Sequence, residues 1–320
     1  MLTTATQPTP SQPRVVVLIP CYNEEITIGT VVRDFKEALP DAEIYVYDNN
    51  STDKTIDVAR KTGAIVRSEK LQGKGHVIRR MFADIDADYY ILVDGDATYE
   101  AASAPKMLQK AMREGLDMVN GARVTDRKAA YRSGHVWGNK ILTAMVTTIF
   151  GRRLSDMLSG YRVFSNRFVK SFPALAGGFE TETEFTVYAL ELGMPIGEVP
   201  TRYIERPPGS VSKLRTYTDG IIILKTIVNL CKQERPLIFF SLLALIFALI
   251  GLVFGAPIIY TYFKTGFVLR LPSALLATGF EIMAALSMTC ALILDSVALA
   301  RQEQKRTRYL SLPGPAWMDK

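Results

Sequence analysis

Apolar and polar residues alternate along the first two-thirds of the chain in blocks that predict strands and helices in turn. A β-branched run at Val15–Ile19 predicts a strand, and apolar residues three or four apart from Ile28 to Leu39 predict a helix. The pattern repeats with strands predicted at Ile44–Tyr47, Ala64–Arg67, Tyr90–Val93 and Met118–Asn120, and helices at Lys54–Lys61 and His76–Ile85. This alternation predicts an α/β fold, a mostly parallel Rossmann-like sheet with helices on both faces.

The last third of the chain is much more apolar and predicts a membrane anchor. Leu237–Phe263 contains no charged residue and is longer than the roughly 20 residues that span a bilayer. A second apolar stretch runs from Leu271 to Leu294 or beyond and is interrupted by Glu281. A carboxylate inside a span is costly, so Glu281 is expected to face another helix or a second subunit, with a lipid headgroup as the alternative. Tyr217–Arg235 predicts an amphipathic helix at the bilayer surface.

Basic residues flank the two predicted spans unequally. The connection between the spans has only Lys264 and Arg270, whereas the outer flanks contain Lys232, Arg235, Arg301, Lys305, Arg306 and Arg308. The positive-inside rule then predicts a multi-pass protein of the cytoplasmic membrane, with both ends of the hairpin in the cytoplasm. The net charge of +6 fits anionic lipid or phosphorylated partners, and beside the apolar anchor we expect these rather than nucleic acid.

The pattern divides the chain into five regions. Residues 1–13 are rich in Thr, Gln, Pro and Ser and predict a disordered tail rather than a signal peptide. The other predicted regions are a globular α/β domain over 14–215, an amphipathic juxtamembrane helix over 216–235, a two-helix transmembrane hairpin over 236–300 and a basic cytoplasmic tail over 301–320. The three scattered cysteines predict neither a disulfide framework nor a CxxC metal site.

Acidic side chains follow the predicted strands where the strands end. Asp94 and Asp96 follow one strand and Asp48 follows another. Two nearby carboxylates repel unless a cation lies between them, and hard divalent cations take oxygen ligands and bridge to phosphates. Open α/β sheets hold ligands at this edge. The pair therefore predicts a Mg²⁺ or Mn²⁺ ion that carries a diphosphate, with a solvated turn as the alternative.

Further polar residues fall after strands or at helix starts and are expected in the same crevice. They are Asn23, Glu24, Asp48 and Lys74. A polar loop contains Arg123, Arg132 and Ser133, and Glu182 lies in a predicted first helical turn, where an acidic residue also serves as a dipole partner. Arg206 and Lys213 lie in a basic loop suited to a leaving diphosphate, although such loops are often only solvated.

The motifs occur in the order IPCYNEE, DNNSTD, GKG, DGD, SGYR and a basic loop with SK. Together they resemble the inverting family-two glycosyltransferases with the GT-A fold, in the polyprenyl-phosphate, dolichol-phosphate-mannose-synthase-like branch. The resemblance covers roughly Val15 to Arg215. It implies a GT-A catalytic domain over 14–215, a nucleotide diphosphate sugar donor, a Mg²⁺ or Mn²⁺ cofactor and a polyprenyl phosphate acceptor such as undecaprenyl or dolichyl phosphate.

The resemblance also implies roles for individual residues. Asp94 and Asp96 would hold the metal, with Asp96 the firmer ligand. The expected donor-binding residues are Pro20, Tyr22, Glu24, Asp48, Lys74, Arg206 and Lys213, of which the last two would close on the donor phosphates. Arg123, Arg132 and Ser133 would meet the lipid phosphate.

Two departures from the family pattern change what is expected. Many relatives carry a polar side chain after the acidic pair that can add a metal ligand, whereas this chain has Ala97-Thr98, so the resemblance supplies no third protein ligand. The QxxRW signature of processive polysaccharide synthases is absent, which argues against polymer synthesis.

The expected reaction moves a hexose to a lipid phosphate with inversion, and its product would donate sugar for cell-envelope glycan or glycoprotein synthesis. A phosphate monoester has a second pKa near ~6, so the nucleophile is already ionised and a general base is not required. Asp156 and Glu182 are the candidate bases if the acceptor is a hydroxyl of a protein or glycan. UDP-glucose, UDP-N-acetylglucosamine and GDP-mannose all stay open as donors. The two-helix anchor and Glu281 are compatible with a homo-oligomer. An inactive nucleotide-sugar-binding membrane scaffold is the second alternative function.

Overall fold

The computed structural model describes residues 12–124, 155–178, 180–209 and 216–315. Predictions for residues 1–11 and for Arg132, Ser133 and Lys213 therefore lie outside the described residues. The described residues divide into two compact units. One contains the residues up to Ile223 together with those from Arg308 onward, and the other is Leu224–Thr307.

Within the described residues, seven strands form one sheet in the first unit. The strands are β1 (Val15–Cys21), β2 (Glu43–Asp48), β3 (Ile65–Ser68), β4 (Tyr89–Leu92), β5 (Met118–Val124), β6 (Arg162–Ser165) and β7 (Ile196–Arg202). Their spatial order is β3-β2-β1-β4-β6-β5-β7. Only β6 runs antiparallel to its neighbours, so the predicted mostly parallel sheet is confirmed.

Helices follow most of the strands. Those with bounds in the first unit are α1 (Ile28–Ala38), α2 (Thr55–Lys61), α3 (Lys74–Asp84), α4 (Ala104–Glu114), α5 (Asn166–Ser171) and α6 (Thr181–Leu192). Three longer helices follow, namely α7 (Thr216–Glu234), α8 (Pro236–Thr265) and α9 (Leu271–Leu310). The second apolar stretch thus continues as helix to Leu310, so the first ten residues of the predicted basic tail are helical.

Side-chain alternation along the strands builds a separate core on each face of the sheet. On β1, Val17 and Ile19 belong to one core, and Val16 and Leu18 belong to the other. Helices α1 and α4 close the first core, and α3, α5 and α6 close the second. The predicted covering of both faces by helices is confirmed, and the arrangement directs the carboxyl ends of the central parallel strands to one edge.

The second unit contains two helices long and apolar enough to cross a membrane. The most apolar windows of α8 and α9 have mean hydropathies of 3.0 and 2.0, and most of their residues are not buried within the protein. Glu281 of α9 lies against α8 at Gly251, where an added Cβ would come 2.5 Å from Glu281 Oε1. Glu281 therefore faces another helix of its own chain, which is one of the two positions predicted for it, and self-association stays a prediction.

The end of α9 belongs to the first unit and packs at a buried carboxylate. The Tyr309 hydroxyl donates a 2.6 Å hydrogen bond to Asp117, which is fully buried at the start of β5. Arg167 pairs with the same carboxylate at 2.8 Å, and its guanidinium lies 4.2 Å from the centre of the Tyr309 ring. Ser165 donates a further bond of 2.7 Å. The first unit is thus completed by residues at the end of α9.

We expect Tyr309→Phe to destabilise the first unit by about 1.5–3 kcal/mol, because it removes a hydrogen bond to a buried carboxylate that also pairs with Arg167 and leaves the ring in place. The thermal midpoint of the full chain in detergent measures this. Tyr262→Phe, half-exposed on α8, is the matched control and should leave the midpoint unchanged. Equal midpoints for wild type and Tyr309→Phe would contradict the prediction.

Candidate active site

Four of the carboxylates predicted to share a crevice lie around one buried thiol. Cys21, the last residue of β1, pairs in register with Asp48 at the end of β2. An added Cβ on Gly95 would come 2.7 Å from the Cys21 sulfur, so the loop after β4 passes directly over the end of β1. Burial raises the pKa of the Cys21 thiol well above its usual value. The smaller causes of this increase are the nearby carboxylates of Glu24, Asp48, Asp94 and Asp96.

The loops that follow β1 and β4 are also joined directly. The Thr27 hydroxyl at the start of α1 donates a 2.7 Å bond to the carbonyl of Gly95, and it lies 3.2 Å from the Glu24 carboxylate. Asp48 is buried at the neighbouring strand end, where it accepts the amide of Ser51. These bonds fix the Asp94-Gly95-Asp96 segment beside the predicted nucleotide-binding residues, of which Pro20 is partly buried and Tyr22 is 39% exposed.

Asp94 shares a lysine with a glutamate from a distant helix. The Lys74 ammonium lies 2.5 Å from Asp94 Oδ1 and 2.5 Å from Glu182 Oε1. Burial lowers the pKa of Lys74, but attraction by the two carboxylates outweighs burial and keeps the pKa above its ordinary value. Glu182 Oε2 is buried without a hydrogen-bond partner among the described residues. Lys74 is therefore a fixed cation between two of the predicted site carboxylates.

Three glycines allow this lysine to reach its position. Added Cβ atoms on Gly73 and Gly75 would collide with the backbone carbonyls of Gly177 and Ala176, and Gly73 also has a φ of +134°. At Gly160, in the SGYR motif, a Cβ would lie 2.5 Å from Asp94 Oδ2. Gly73 and Gly75 therefore allow the loop before α6 to approach Lys74 closely, and the first turn of α6 contains Glu182.

Asp96 is held from both sides. Its Oδ1 accepts bonds from the Thr98 hydroxyl at 2.5 Å and the Thr98 amide at 3.1 Å. Its Oδ2 pairs with Arg206, whose guanidinium is also 3.9 Å from Glu24. Burial, followed by repulsion from Asp94, raises the pKa of Asp96, and Arg206 and Thr98 oppose that shift. Each aspartate of the pair thus has a cationic partner, Lys74 for Asp94 and Arg206 for Asp96.

A second ion pair lies beside this pair of aspartates. Arg123, at the end of β5, binds Asp156 through two bonds of 2.6 and 2.8 Å. Its guanidinium lies 5.6 Å from the centre of the Tyr203 ring, and Tyr203 shares a hydrogen bond with the Thr98 side chain. Arg123 and Asp156 were predicted as an acceptor-phosphate contact and a candidate base, and the structure pairs them with each other.

Below the site, Arg162 is a buried cation that the sequence pattern did not single out. Its guanidinium is fully buried and donates to the carbonyls of Met157, Ser159 and Glu182. Burial lowers the pKa of Arg162 to about 10. The side chain thereby ties the loop that carries Gly160 to the first turn of α6. The SGYR motif ends at this residue, but the motif does not reveal that the arginine side chain is buried.

The site therefore brings most of the predicted residues together as alternating charges. Asp94, Lys74 and Glu182 form one cluster, and Asp96, Arg206 and Glu24 form another. No group of three or more His, Cys, Asp or Glu side chains with metal-binding geometry occurs among the described residues. The arrangement can bind an anionic ligand through its cations and a hard cation through its two aspartates. Arg132, Ser133 and Lys213 lie outside the described residues.

The chain is similar to known glycosyltransferases. Residues 16–172 match the family described as Glycosyl transferase family 2. Glycosyltransferase AglJ of Haloferax volcanii is 37% identical over 235 residues, which cover 72% of this chain and 77% of that protein. The dolichyl-phosphate hexose transferase of the same organism is 28% identical over 219 residues, which cover 68% of this chain and 94% of that protein.

A solved structure shares the fold of the first unit. Glucosyl-3-phosphoglycerate synthase from Mycobacterium tuberculosis, in complex with phosphoglyceric acid, superposes with a TM-score of 0.58 at 21% identity, over 68% of this chain and 80% of that one. The same enzyme has been solved with Mn²⁺ and UDP-glucose. The fold is thus of the GT-A type predicted from the motifs. With the 37% identity over most of a named glycosyltransferase, the match identifies this chain as a member of glycosyl transferase family 2.

Proposed function

We propose that the protein transfers a hexose, with inversion, from a nucleotide diphosphate sugar to the phosphate of a polyprenyl lipid. The observation that carries the proposal is the gathering of Glu24, Asp48, Asp94 and Asp96 around the end of β1, with Lys74 and Arg206 among them. The two apolar helices and the similarity to a dolichyl-phosphate hexose transferase support a lipid acceptor. The positive-inside rule supports a cytoplasmic position for the catalytic unit.

The residues present fit a divalent cation. Asp94 and Asp96 offer hard carboxylate oxygens one residue apart in the loop after β4. These two aspartates would hold Mg²⁺ or Mn²⁺, which would neutralise the diphosphate leaving group. The solved enzyme with Mn²⁺ and UDP-glucose supports the same chemistry. Lys74 supplies further positive charge beside Asp94, and Arg206, which the cation would displace from Asp96, would contact the donor phosphates.

The lipid phosphate is mostly ionised at neutral pH, so this reaction needs no general base. Arg123 is the described cation that we assign to the acceptor phosphate, with Asp156 orienting its guanidinium through two bonds. We assign Glu182 to holding Lys74, with which it shares a 2.5 Å ion pair. Charge neutralisation and exclusion of water are then the main contributions of the protein to catalysis.

One observation favours a hydroxyl acceptor as the second candidate. Glu182 Oε2 is buried and lacks a hydrogen-bond partner among the described residues, so it has an open position for a proton. Glu182→Gln separates the two readings. A phosphate acceptor predicts transfer within about tenfold of wild type, whereas a hydroxyl acceptor predicts a loss of about 10²- to 10⁴-fold.

The experiment that tests the proposal is a donor screen with the purified full chain, Mn²⁺ and undecaprenyl or dolichyl phosphate. Radiolabelled UDP-glucose, UDP-N-acetylglucosamine and GDP-mannose are supplied separately. The expected result is metal-dependent label in an organic-extractable lipid phosphate with one of the donors. Label in protein or glycan would support the hydroxyl acceptor. Donor binding without any metal-dependent nucleotide release would support an inactive scaffold and overturn the proposal.

A further inference from the structure

The two carboxylate oxygens of Asp96 have different surroundings. Oδ1 accepts both hydrogen bonds from Thr98, through the hydroxyl at 2.5 Å and the amide at 3.1 Å. Oδ2 pairs with Arg206. Because Oδ1 is already bonded twice by one neighbour, a cation that replaces the arginine would meet Oδ2.

The backbone brings Thr98 under the carboxylate. Ala97 has a φ of +58°, in the left-handed region that residues other than glycine seldom adopt. This turn directs the amide of Thr98 back to Asp96, and the carbonyl of Thr98 accepts the amide of Ile204 at 2.9 Å. Thr98 is 1% exposed. It is therefore fixed beneath Asp96 rather than on the surface of the crevice.

Tyr203 supports the hydroxyl of Thr98 from behind. A threonine hydroxyl has one hydrogen and two lone pairs, so it can donate to Asp96 and accept from a second hydroxyl. Tyr203 shares a hydrogen bond with the Thr98 side chain. The tyrosine is itself fixed by a 2.9 Å bond from its amide to Val124 and by its ring, which packs on Tyr99 at 5.4 Å.

We propose that Thr98, supported by Tyr203, is a positioning residue that orients Asp96 so that Oδ2 alone faces the cation. This rests on the cation site of the proposed function. It assigns a role to the position where relatives carry a further polar side chain. In this chain that position lies behind the carboxylate and acts through it. Groups that orient metal-binding carboxylates typically change metal affinity by about 10- to 100-fold when they are removed.

The test measures binding of Mn²⁺ alone to the full chain in detergent, by the loss of the free-ion signal in electron paramagnetic resonance. Thr98→Val keeps the shape of the side chain but removes the hydroxyl, and we expect Mn²⁺ to bind about 10- to 100-fold more weakly. Thr98→Ser keeps the hydroxyl and should bind as wild type does. Thr62→Val, whose hydroxyl bonds only to helix carbonyls in α2, is the matched control and should have no effect.

A double-variant cycle tests the route through Thr98. Tyr203→Phe should weaken Mn²⁺ binding in the wild-type background but have no further effect in the Thr98→Val background, because the tyrosine acts through the missing hydroxyl. Additive effects would overturn the proposal. If Thr98→Val does not fold, Tyr203→Phe decides alone, and unchanged Mn²⁺ affinity in that variant overturns the proposal.

The controls also separate this proposal from the proposed function. Wild-type affinity in Thr98→Val, together with lost binding in Asp96→Asn, overturns the role of Thr98 and leaves the cation site intact. A wild-type protein that binds no Mn²⁺ overturns both.

Discussion

Replacing Asp96 with asparagine is expected to lower the rate of sugar transfer about 10²- to 10³-fold, the loss typical when one charge-stabilising partner is removed. The variant loses the anionic oxygen that now pairs with Arg206 and that we assign to the cation. The Thr98 donors can still bond the amide oxygen, so the loop after β4 should keep its shape. Initial rates at saturating Mn²⁺ measure the effect.

Asp86→Asn is the matched control for this prediction. Asp86 precedes the opposite end of β4, and its side chain is 81% exposed. The same change of charge there should leave transfer unchanged. Both variants are expected to remain folded and in the membrane fraction. Normal turnover by Asp96→Asn would contradict the assignment of the cation to the acidic pair.

Replacing Lys74 with methionine is expected to destabilise the first unit by about 3–5 kcal/mol, the usual cost when one partner of a buried ion pair is removed. The Glu182 side chain is 5% exposed and would lose its described cationic partner, and Asp94 would lose the same ammonium. A lower thermal midpoint of the full chain measures the effect. Added Mn²⁺ should recover part of the stability, because a cation that binds only the folded state stabilises it.

Two further variants show whether the loss of stability comes from the buried ion pairs of Lys74. Lys110→Met removes a lysine from a helix-surface pair with Glu114, and exposed pairs of this kind are worth less than about 1 kcal/mol. Lys74→Met combined with Glu182→Gln should recover most of the lost stability, because no unpaired charge remains at Glu182. A double variant no more stable than Lys74→Met alone would show that the lysine acts through something other than these carboxylates.

The sequence pattern predicts the strands that carry continuous apolar runs. β1 and β4 are buried on both faces, and each pairs with a parallel neighbour as expected. β6 and β7 were not predicted. β6 begins at a buried arginine, and β7 contains Gly197, Glu198 and Pro200. β7 is a strand because it pairs with β5 over seven residues. It lies at the edge of the sheet, where proline is tolerated.

Some contacts in the candidate site are likewise predicted from the sequence pattern, and others are not. Asp48 and Asp94 lie at one edge of the sheet because their strands run parallel, so the pattern predicts their common position near Cys21. The ion pair between Lys74 and Glu182 joins residues 108 positions apart and depends on where α6 begins. The position of Tyr203 behind Thr98 depends on the preceding strand, β7, which was not predicted. Contacts of this kind arise from tertiary packing and have no local signal in the chain.

The buried hydrogen bond between Asp117 and Tyr309 joins residues that are made far apart in time. Ribosomes make the chain from its first residue, and domains fold largely as they emerge. Asp117 and Arg167 are made well before α8 and α9, but their partner Tyr309 lies in the last turn of α9. Until α9 has been made, Asp117 can pair with Arg167 and Ser165 but not with Tyr309. We therefore expect a fragment that ends near residue 215 to lack the bond from Tyr309 to Asp117 and to be less stable than the full chain.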